Sequence, residues 1–399
     1  MKGDVALRLP RDLYIACGAR AMTMLGSMVA VTALLLDMQG RGAGAWAVSG
    51  VLAAGTLPIV LLGPVIGILV DRYDSRALLI ACGMWQAGTC AVLAFLTDPV
   101  LVLPLVTLNA IGTALAVPLL LSLTRLMVAD EQLAAANSLQ QGSHMLAMLT
   151  GPAVSGLLTG LTGGARVPLL LDAGLFLLIT VAALLITTRR QSNGGPMPRA
   201  REGITALFTD SPLATVVVLA FLLVLVTHLT YVAQVFLVRE TFGASALAFG
   251  LLQATFTVGL LTGTVLASRL NTARRIVLMN PIFAVVMSTA IILIGSVSVL
   301  PAVFALYVLA GVGASVVSVS VGTMLMLRTP ESTMGRALAS FHALNRAAAL
   351  GAYGVGGFVV GMLAPGTVYI LSGVSALIAV LVMIPALRRA WRATAPVTT

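Results

Sequence analysis

The chain has 399 residues, of which 59% are hydrophobic and only 9% are charged, and its formal net charge is +10. This composition, with a mean hydropathy of +1.06, excludes a soluble globular protein, because the surface of such a protein needs many more charged residues. We therefore expect a helical membrane protein.

Twelve apolar runs are long enough to cross a bilayer, which takes about 20 residues. The first run is too long for the core of a signal peptide and has no clear small-residue cleavage site, so we interpret it as a retained span. The sequence thus predicts an all-α polytopic protein with twelve transmembrane helices. These spans cover residues 13–36, 46–70, 77–97, 100–124, 138–160, 167–187, 212–237, 245–268, 275–296, 301–326, 337–363 and 366–386.

The basic residues are concentrated on one side of the predicted spans. With the N-terminus placed inside, eighteen of them lie at cytoplasmic ends, whereas only Arg41, Arg166 and Arg239 lie in outer loops. This asymmetry follows the positive-inside rule and predicts that both termini are cytoplasmic. It also accounts for the net charge without a nucleic-acid partner. The preference for arginine over lysine suggests a GC-rich bacterial genome, so we expect a multi-pass protein of the bacterial inner membrane.

Span 1 carries two charged residues. Arg20 lies among apolar residues, where a charge is costly and usually marks function. Alternatively it reaches the inner surface, because it lies only about two helical turns from Leu13. Asp37 closes the span at the outer face and is either a proton carrier or a loop residue.

A short charged hairpin, GILVDRYDSR from Gly67 to Arg76, joins spans 2 and 3. Asp71 lies at the C-terminal end of its helix, where the negative end of the macrodipole disfavours a carboxylate. Its partner must therefore be Arg72, Arg76 or the N-terminus of another helix. Gly67 lies one turn earlier on the same face and would let another backbone approach closely.

The hairpin resembles the signature loop of the major facilitator superfamily, G-x-x-x-D-R-x-G-R-[RK]. Asp74 replaces the second glycine of that motif, and Ser75 replaces the first of its paired basic residues. The resemblance implies that the loop meets span 11 and holds a cytoplasmic gate shut; the alternative is a solvated loop that only sets topology. The matching gate residues are Gly67, Asp71, Arg72 and Arg76.

The end of span 4 and the start of span 5 read PLLLSLTRLMVADEQLAAANSLQQGSHM. This segment resembles the corresponding region of macrolide and siderophore exporters of the superfamily, where an acidic pair precedes span 5. We expect Asp130 and Glu131 to face the basic residues of the 2–3 hairpin on the cytoplasmic side.

Span 5 contains the sequence GPAVSG, which resembles the antiporter motif of exporters, G-x-x-x-G-P-x-x-G-G. Gly151, Pro152 and Gly156 match, and the small residues Ala147 and Ser155 replace two glycines. Pro152 bends the helix by removing a backbone hydrogen bond. The resemblance implies a hinge used in export; the alternative is an ordinary packing kink.

Span 6 opens with LLLDAGLF near the predicted outer boundary. An acidic residue at this place is similar to the macrolide-exporter branch of the superfamily. Asp172 is therefore a second proton-coupling candidate beside Asp37, or it merely holds spans together.

Polar side chains recur on single faces of spans 5, 7 and 11. Such stripes should face the bundle interior or a wet cavity, because unpaired polar groups in hydrocarbon are costly. For each residue, plain interhelical hydrogen bonding is the alternative to cavity lining. With Arg20, the predicted substrate-cavity residues are Gln141, His144, His228, Tyr231, Gln234, His342, Asn345 and Arg346.

The two halves of the chain repeat at an offset of 200 residues, so that Gly63 corresponds to Gly263 and Gly151 to Gly351. Six spans per half give both copies the same orientation, which is the parallel repeat of a six-plus-six transporter. The predicted parts are an N-terminal half (1–187), a cytoplasmic linker (188–211), a C-terminal half (212–387) and a cytoplasmic tail (388–399).

No nucleotide-binding loop, paired catalytic carboxylates or metal-ligand spacing occurs, and the cysteines Cys17, Cys82 and Cys90 lie in apolar runs. We therefore expect no enzyme activity and no cofactor. The resemblance implies a monomeric drug:proton antiporter that exports apolar or amphipathic molecules by alternating access. The alternatives are a dedicated exporter of one metabolite such as a siderophore, whose anionic character Arg20 and Arg346 would suit, and a non-transporting receptor or scaffold.

Overall fold

The computed structural model describes residues 10–129, 132–187 and 200–394. Asp130 and Glu131, the first half of the predicted linker and the end of the tail lie outside these ranges. So do the side chains of some helical residues, Gly67 and Asp71 among them.

All regular structure in the described ranges is helical, as an all-α membrane protein requires: a helix satisfies its own backbone groups in hydrocarbon. A π-helical turn, Leu237–Thr241, follows α9. The α-helices are α1 (Arg11–Gly40), α2 (Gly44–Arg72), α3 (Ser75–Leu93), α4 (Pro99–Met127), α5 (Leu133–Thr162), α6 (Arg166–Leu185), α7 (Ala200–Thr209), α8 (Ser211–Thr227), α9 (Leu229–Phe236), α10 (Ala246–Ala267), α11 (Ala273–Ser296), α12 (Leu300–Arg328), α13 (Glu331–Met362) and α14 (Pro365–Ala393).

Polar side chains mark where several helices begin. Asp98 caps α4, with Pro99 as its first residue, and Asp210 caps α8 by accepting from the Leu213 N–H at 2.9 Å. Ser245 and Thr272 cap α10 and α11 in the same way. Each oxygen satisfies an N–H that the first turn leaves without an intrahelical partner, so these short loops fix the helix boundaries.

Eleven helical segments of the described chain are long and apolar enough to cross a membrane. The remaining long helix, α13, has 32 residues but carries Arg336, His342, Asn345 and Arg346, and it is not among the eleven. The multi-span prediction is confirmed, whereas the count of twelve is not. The polar stripe that singled out this helix in the sequence also lowers its hydropathy.

Predicted span 7 is built from three pieces, α8, α9 and the π-helical turn, which together form one candidate span, Ser211–Thr241. The break falls at His228, whose ring nitrogen Nδ1 lies 2.9 Å from the Val224 carbonyl oxygen. Local departures of this kind are frequent at functional sites.

The chain divides into two compact units. The first comprises the described residues of Met1–Asp37 and Leu57–Pro196, and the second those of Met38–Thr56 and Met197–Thr399. In the first unit, Leu79, Leu119 and Phe176 are buried where α3, α4 and α6 meet.

Glycines allow close helix packing in the second unit. Gly259 of α10 and Gly311 of α12 face each other so closely that a side chain on either would meet the other helix's backbone. Small residues at such crossings are the usual means of bringing membrane helices together.

Candidate functional site

Arg20 is buried in the first unit, with 8% of its surface exposed. Its Nη1 donates a hydrogen bond to Oε1 of Gln140 on α5. The side chain therefore points at a neighbouring helix, and its hydrogen bond is the interhelical contact that the sequence left open as the alternative to cavity lining. Gln140, which is 1% exposed, was not among the predicted cavity residues. The neighbouring residue that was predicted, Gln141, is exposed.

His144 lies one turn beyond Gln140 on the same face of α5, within electrostatic reach of Arg20. Its Nδ1 is buried without a hydrogen-bond partner in the described part of the chain, as is Nε of Arg20. The structure thus brings together Arg20, Gln140 and His144 with hydrogen-bonding capacity left over. We call these three residues the Arg20 cluster.

Asp172 is 1% exposed and lies on α6 beside Gly26 of α1 and Cys90 of α3. The Cys90 thiol donates to its Oδ2 at 3.2 Å. Asn109 on α4 in turn donates to the Cys90 sulfur and to the Thr89 hydroxyl, each at 3.0 Å. The other carboxylate oxygen, Oδ1, is buried without a partner among the described residues. A carboxylate so short of donors is costly to keep charged.

Asp37 also lies at the end of a helix and is largely buried, with 9% exposed. Its Oδ1 accepts a long hydrogen bond, 3.4 Å, from the backbone N–H of Ala165. That N–H belongs to the residue that precedes α6, so Asp37 links the C-terminal end of α1 to the start of α6. Asp37 lies within α1 and is not a loop residue; its role as a proton carrier stays a prediction.

In the hairpin between α2 and α3, a residue that departs from the family motif has a structural role. Asp74 is the N-cap of α3 and accepts from the Ala77 N–H at 2.9 Å. Arg76 donates from Nη2 to the Leu184 carbonyl oxygen at 2.5 Å, where the negative end of α6 favours a cation. Arg72 is exposed. The gate role of Asp71 and Gly67 stays a prediction.

The predicted hinge of α5 packs on α1. A Cβ at Gly151 would lie 2.6 Å from Cβ of Met28 and 3.3 Å from the Leu25 carbonyl oxygen. One turn on, Ser155 donates to the Val29 carbonyl oxygen at 2.7 Å. Pro152 and Gly156 are buried beside them. The serine that replaces a motif glycine therefore ties the two helices together.

Aromatic side chains form a continuous cluster in the second unit. The ring of His228 lies 5.0 Å from that of Tyr231 and 5.8 Å from that of Tyr353. Tyr231 contacts Phe256 edge-on at 6.5 Å. We call these residues, with Tyr307 and Tyr369, the aromatic cluster.

The cluster continues through α10, α12 and α14. Phe256 contacts Tyr307 at 6.4 Å, and the hydroxyl of Tyr307 is hydrogen-bonded to that of Tyr369. Four of the six tyrosines of the chain belong to this cluster. That concentration of tyrosines in the second half was a signal in the sequence that a search for charged and amide residues passed over.

Tyr231 is the open end of the cluster. Protein surrounds it on most sides, yet 37% of its surface is exposed. Its neighbour Gln234 is buried, so the predicted stripe on α9 is only partly open.

Three of the predicted cavity residues lie on α13, and one of them, Arg346, lies near the aromatic cluster. His342 and Arg346 are exposed on the protein surface, while Asn345 is half-buried. Arg346 acts electrostatically on His228 and Tyr353. The buried Oδ1 of Asn345 has no hydrogen-bond partner within the described ranges.

Ser49 joins α2 to α13 within the second unit. Its hydroxyl donates to the Tyr353 carbonyl oxygen and accepts from the Gly357 N–H at 3.0 Å. These two backbone groups are four residues apart, so the hydroxyl enters the hydrogen-bond ladder of α13. Gly357 permits the approach, because a Cβ there would lie 2.9 Å from Cα of Trp46.

The sequence matches the family model of the Major Facilitator Superfamily over residues 16–239, more than half of the chain. Macrolide efflux protein A of Streptococcus pyogenes is 29% identical over 150 residues, 36% of this chain and 37% of that relative. The protein of the same name from Enterococcus faecalis is 34% identical over 109 residues, 26% of this chain and 34% of that relative. The chain therefore matches little more than a third of the length of these relatives.

Solved transporter structures share the fold over nearly the whole chain. Nucleoside transporter NupG superposes with a TM-score of 0.74 at 12% identity, covering 94% of this chain and 99% of that one. A POT family transporter in complex with 5-aminolevulinic acid gives 0.79 at 14% identity, covering 96% and 97%. These likenesses show the fold and the family model shows the family: the chain is a multi-span membrane protein that belongs to the Major Facilitator Superfamily.

Proposed function

We propose that the protein exports amphipathic small molecules with an aromatic or aliphatic body across a bacterial cytoplasmic membrane. The observation that carries this proposal is the aromatic cluster, which opens at Tyr231. Aromatic faces bind flat apolar ligands and, beside a cation such as Arg346, accept varied ring systems. The curated relatives named for macrolide efflux support export as the direction.

We further propose that inward proton flow drives export, with Asp172 as the proton carrier. Its burial and the missing donor at Oδ1 favour the neutral, protonated form. Loss of the proton leaves a charge that the site cannot solvate, which would press α6 away from α1 and α3. Asp37 is the weaker carrier, because a backbone N–H already engages it.

Alternating access completes the proposal. We expect two six-helix halves, residues 1–187 and 212–387, with α13 as the twelfth span and the linker and tail on the cytoplasmic side. Asp71, with Gly67, Arg72 and Arg76, would close the inner gate. Gly151, Pro152 and Gly156 would act as the hinge against α1, and the protein would work as a monomer.

The test measures efflux of the fluorescent amphiphile N-phenyl-1-naphthylamine from an efflux-deficient bacterial host. We expect expression to accelerate efflux, an uncoupler to abolish it, and Asp172→Asn to do the same. The control Asp98→Asn keeps its role as the cap of α4 and should leave efflux unchanged. Efflux that survives both the uncoupler and Asp172→Asn would rule out proton antiport through this residue, and no efflux at all would defeat the export proposal.

A further inference from the structure

The Arg20 cluster contains a buried cation without a compensating carboxylate. Arg20 forms no ion pair with any carboxylate of the described residues, and its one hydrogen bond goes to the neutral amide of Gln140. Removing an arginine from water costs several kcal/mol unless a counter-charge or good hydrogen bonds replace the water. Gln140 supplies only one acceptor for five N–H donors.

Two donor nitrogens of Arg20, Nε and Nη2, share one edge of the guanidinium. Nη1 is taken by Gln140, while Nε is buried and unpartnered in the described chain. Nη2 makes no hydrogen bond there either. Nε and Nη2 together form the planar fork that binds an oxyanion through two parallel hydrogen bonds.

His144 lies on α5 within electrostatic reach of Arg20. It is half-buried, and its buried Nδ1 is also unpartnered among the described residues. The adjoining Gln141 is exposed, so a small molecule would reach Arg20 past these two side chains. Three observations therefore point to a ligand: the Arg20 charge has no carboxylate partner among the described residues, its Nε and Nη2 donors are unused there, and the polar side chains His144 and Gln141 lie beside it along α5.

We propose that the Arg20 cluster is a binding site for an oxyanion, and that it receives the carboxylate, sulfonate or phosphate group of an amphipathic cargo. The cargo class, amphiphilic organic acids, rests on the proposed export function; the anion site itself does not. Arg20 would bind the oxyanion through Nε and Nη2, Gln140 would hold the guanidinium in place, and His144 would contribute a further donor.

The test uses two dyes with the same ring system, purified full-length protein and neutral phosphatidylcholine nanodiscs. The dyes are the anion 8-anilinonaphthalene-1-sulfonate and the neutral N-phenyl-1-naphthylamine, each measured against protein-free nanodiscs. We expect Arg20→Gln to weaken binding of the sulfonate about tenfold, as loss of a charged hydrogen-bond donor predicts. Binding of the neutral dye should change less than twofold, which also shows that the variant is folded.

Two further variants keep the test decisive if Arg20→Gln does not fold. Arg20→Lys preserves the charge and loses the fork, so it should weaken sulfonate binding by an intermediate factor. Arg269→Gln removes an exposed arginine outside both clusters and should leave the sulfonate affinity unchanged. Equal loss of both dyes, or an unchanged sulfonate affinity in both Arg20 variants, would overturn the proposal.

Nanodiscs that contain phosphatidylglycerol distinguish the source of the anion. If added phosphatidylglycerol displaces the sulfonate from the wild-type protein, a lipid headgroup occupies the site and the cargo assignment is overturned. If sulfonate binding persists and the bacterial cells export the sulfonate less well with Arg20→Gln, the cargo assignment stands. The two proposals fail in different ways. If the host exports the neutral dye but Arg20→Gln leaves sulfonate binding intact, the anion site is wrong and the export function stands.

Discussion

The carboxylate oxygen Oδ1 of Asp172 occupies the space that a Cβ would fill at Gly26. The glycine on α1 thus makes room for the one unpartnered oxygen of a fully buried carboxylate on α6. The sequence does not predict this contact, because it depends on how both helices are rotated about their axes.

Gly26→Ala should therefore be destabilising. The added methyl group must push Asp172 aside, and overpacking of this kind costs about 1–3 kcal/mol. The matched control is Gly18→Ala on the same helix, where the added Cβ meets no packing neighbour among the described residues within 4 Å. Thermal unfolding in detergent and proton-dependent efflux should fall for Gly26→Ala and stay at wild-type values for Gly18→Ala. Equal behaviour of the two variants would mean that Asp172 can leave Gly26 at no cost.

Much of the fold follows from the sequence because the bilayer imposes a length and a composition on each span. The boundaries of α3, α4, α6 and α10 agree with the predicted spans to within a few residues. What did not follow is the direction in which each polar side chain points. Arg20 was open between two interpretations, and the partner found for it is Gln140.

Asp172 illustrates the same limit. The sequence placed it near the predicted outer boundary and left its role open, whereas the structure shows that it is only 1% exposed and accepts a hydrogen bond from Cys90 of α3. The aromatic cluster was missed for a related reason, since its members come from five helices that are far apart in the chain. Spacing within one helix predicts a shared face, but it does not predict which face of another helix lies opposite.

A second prediction concerns the hairpin between α2 and α3, where Asp74 replaces a motif glycine. Because its side chain caps α3, Asp74→Ala should cost about 0.5–2 kcal/mol of stability. Asp74→Gly, which restores the motif residue, should cost only about a few tenths of a kcal/mol of stability, since glycine is tolerated at the N-cap. Thermal unfolding of the three proteins side by side provides the measurement. A larger loss with glycine than with alanine would show that the cap is not what Asp74 contributes.

The contact between α5 and α1 gives a third prediction. Gly151→Ala would bring a methyl group against Met28 and the Leu25 carbonyl, whereas Gly142→Ala on the same helix meets no packing neighbour within 4 Å in the part of the chain that the structure describes. We expect Gly151→Ala to slow efflux several-fold and lower the unfolding temperature, with Gly142→Ala unaffected. If Gly151→Ala lowers stability but leaves efflux unchanged, the glycine serves packing alone and the hinge proposal fails.

The last prediction concerns Tyr231, the open end of the aromatic cluster. Tyr231→Leu keeps an apolar side chain but removes the ring that faces His228 and Phe256. An aromatic contact is worth about 0.5–1.5 kcal/mol beyond the area it buries, so the Kd for N-phenyl-1-naphthylamine should rise about two- to tenfold. Tyr231→Phe retains the ring and should bind like the wild type.

The matched control, Phe358→Leu on α13, removes an exposed ring outside the cluster and should leave the Kd unchanged. Because all three variants keep the length and charge of the chain, a loss that appears in Phe358→Leu as well, or is absent from Tyr231→Leu, would place dye binding away from this cluster.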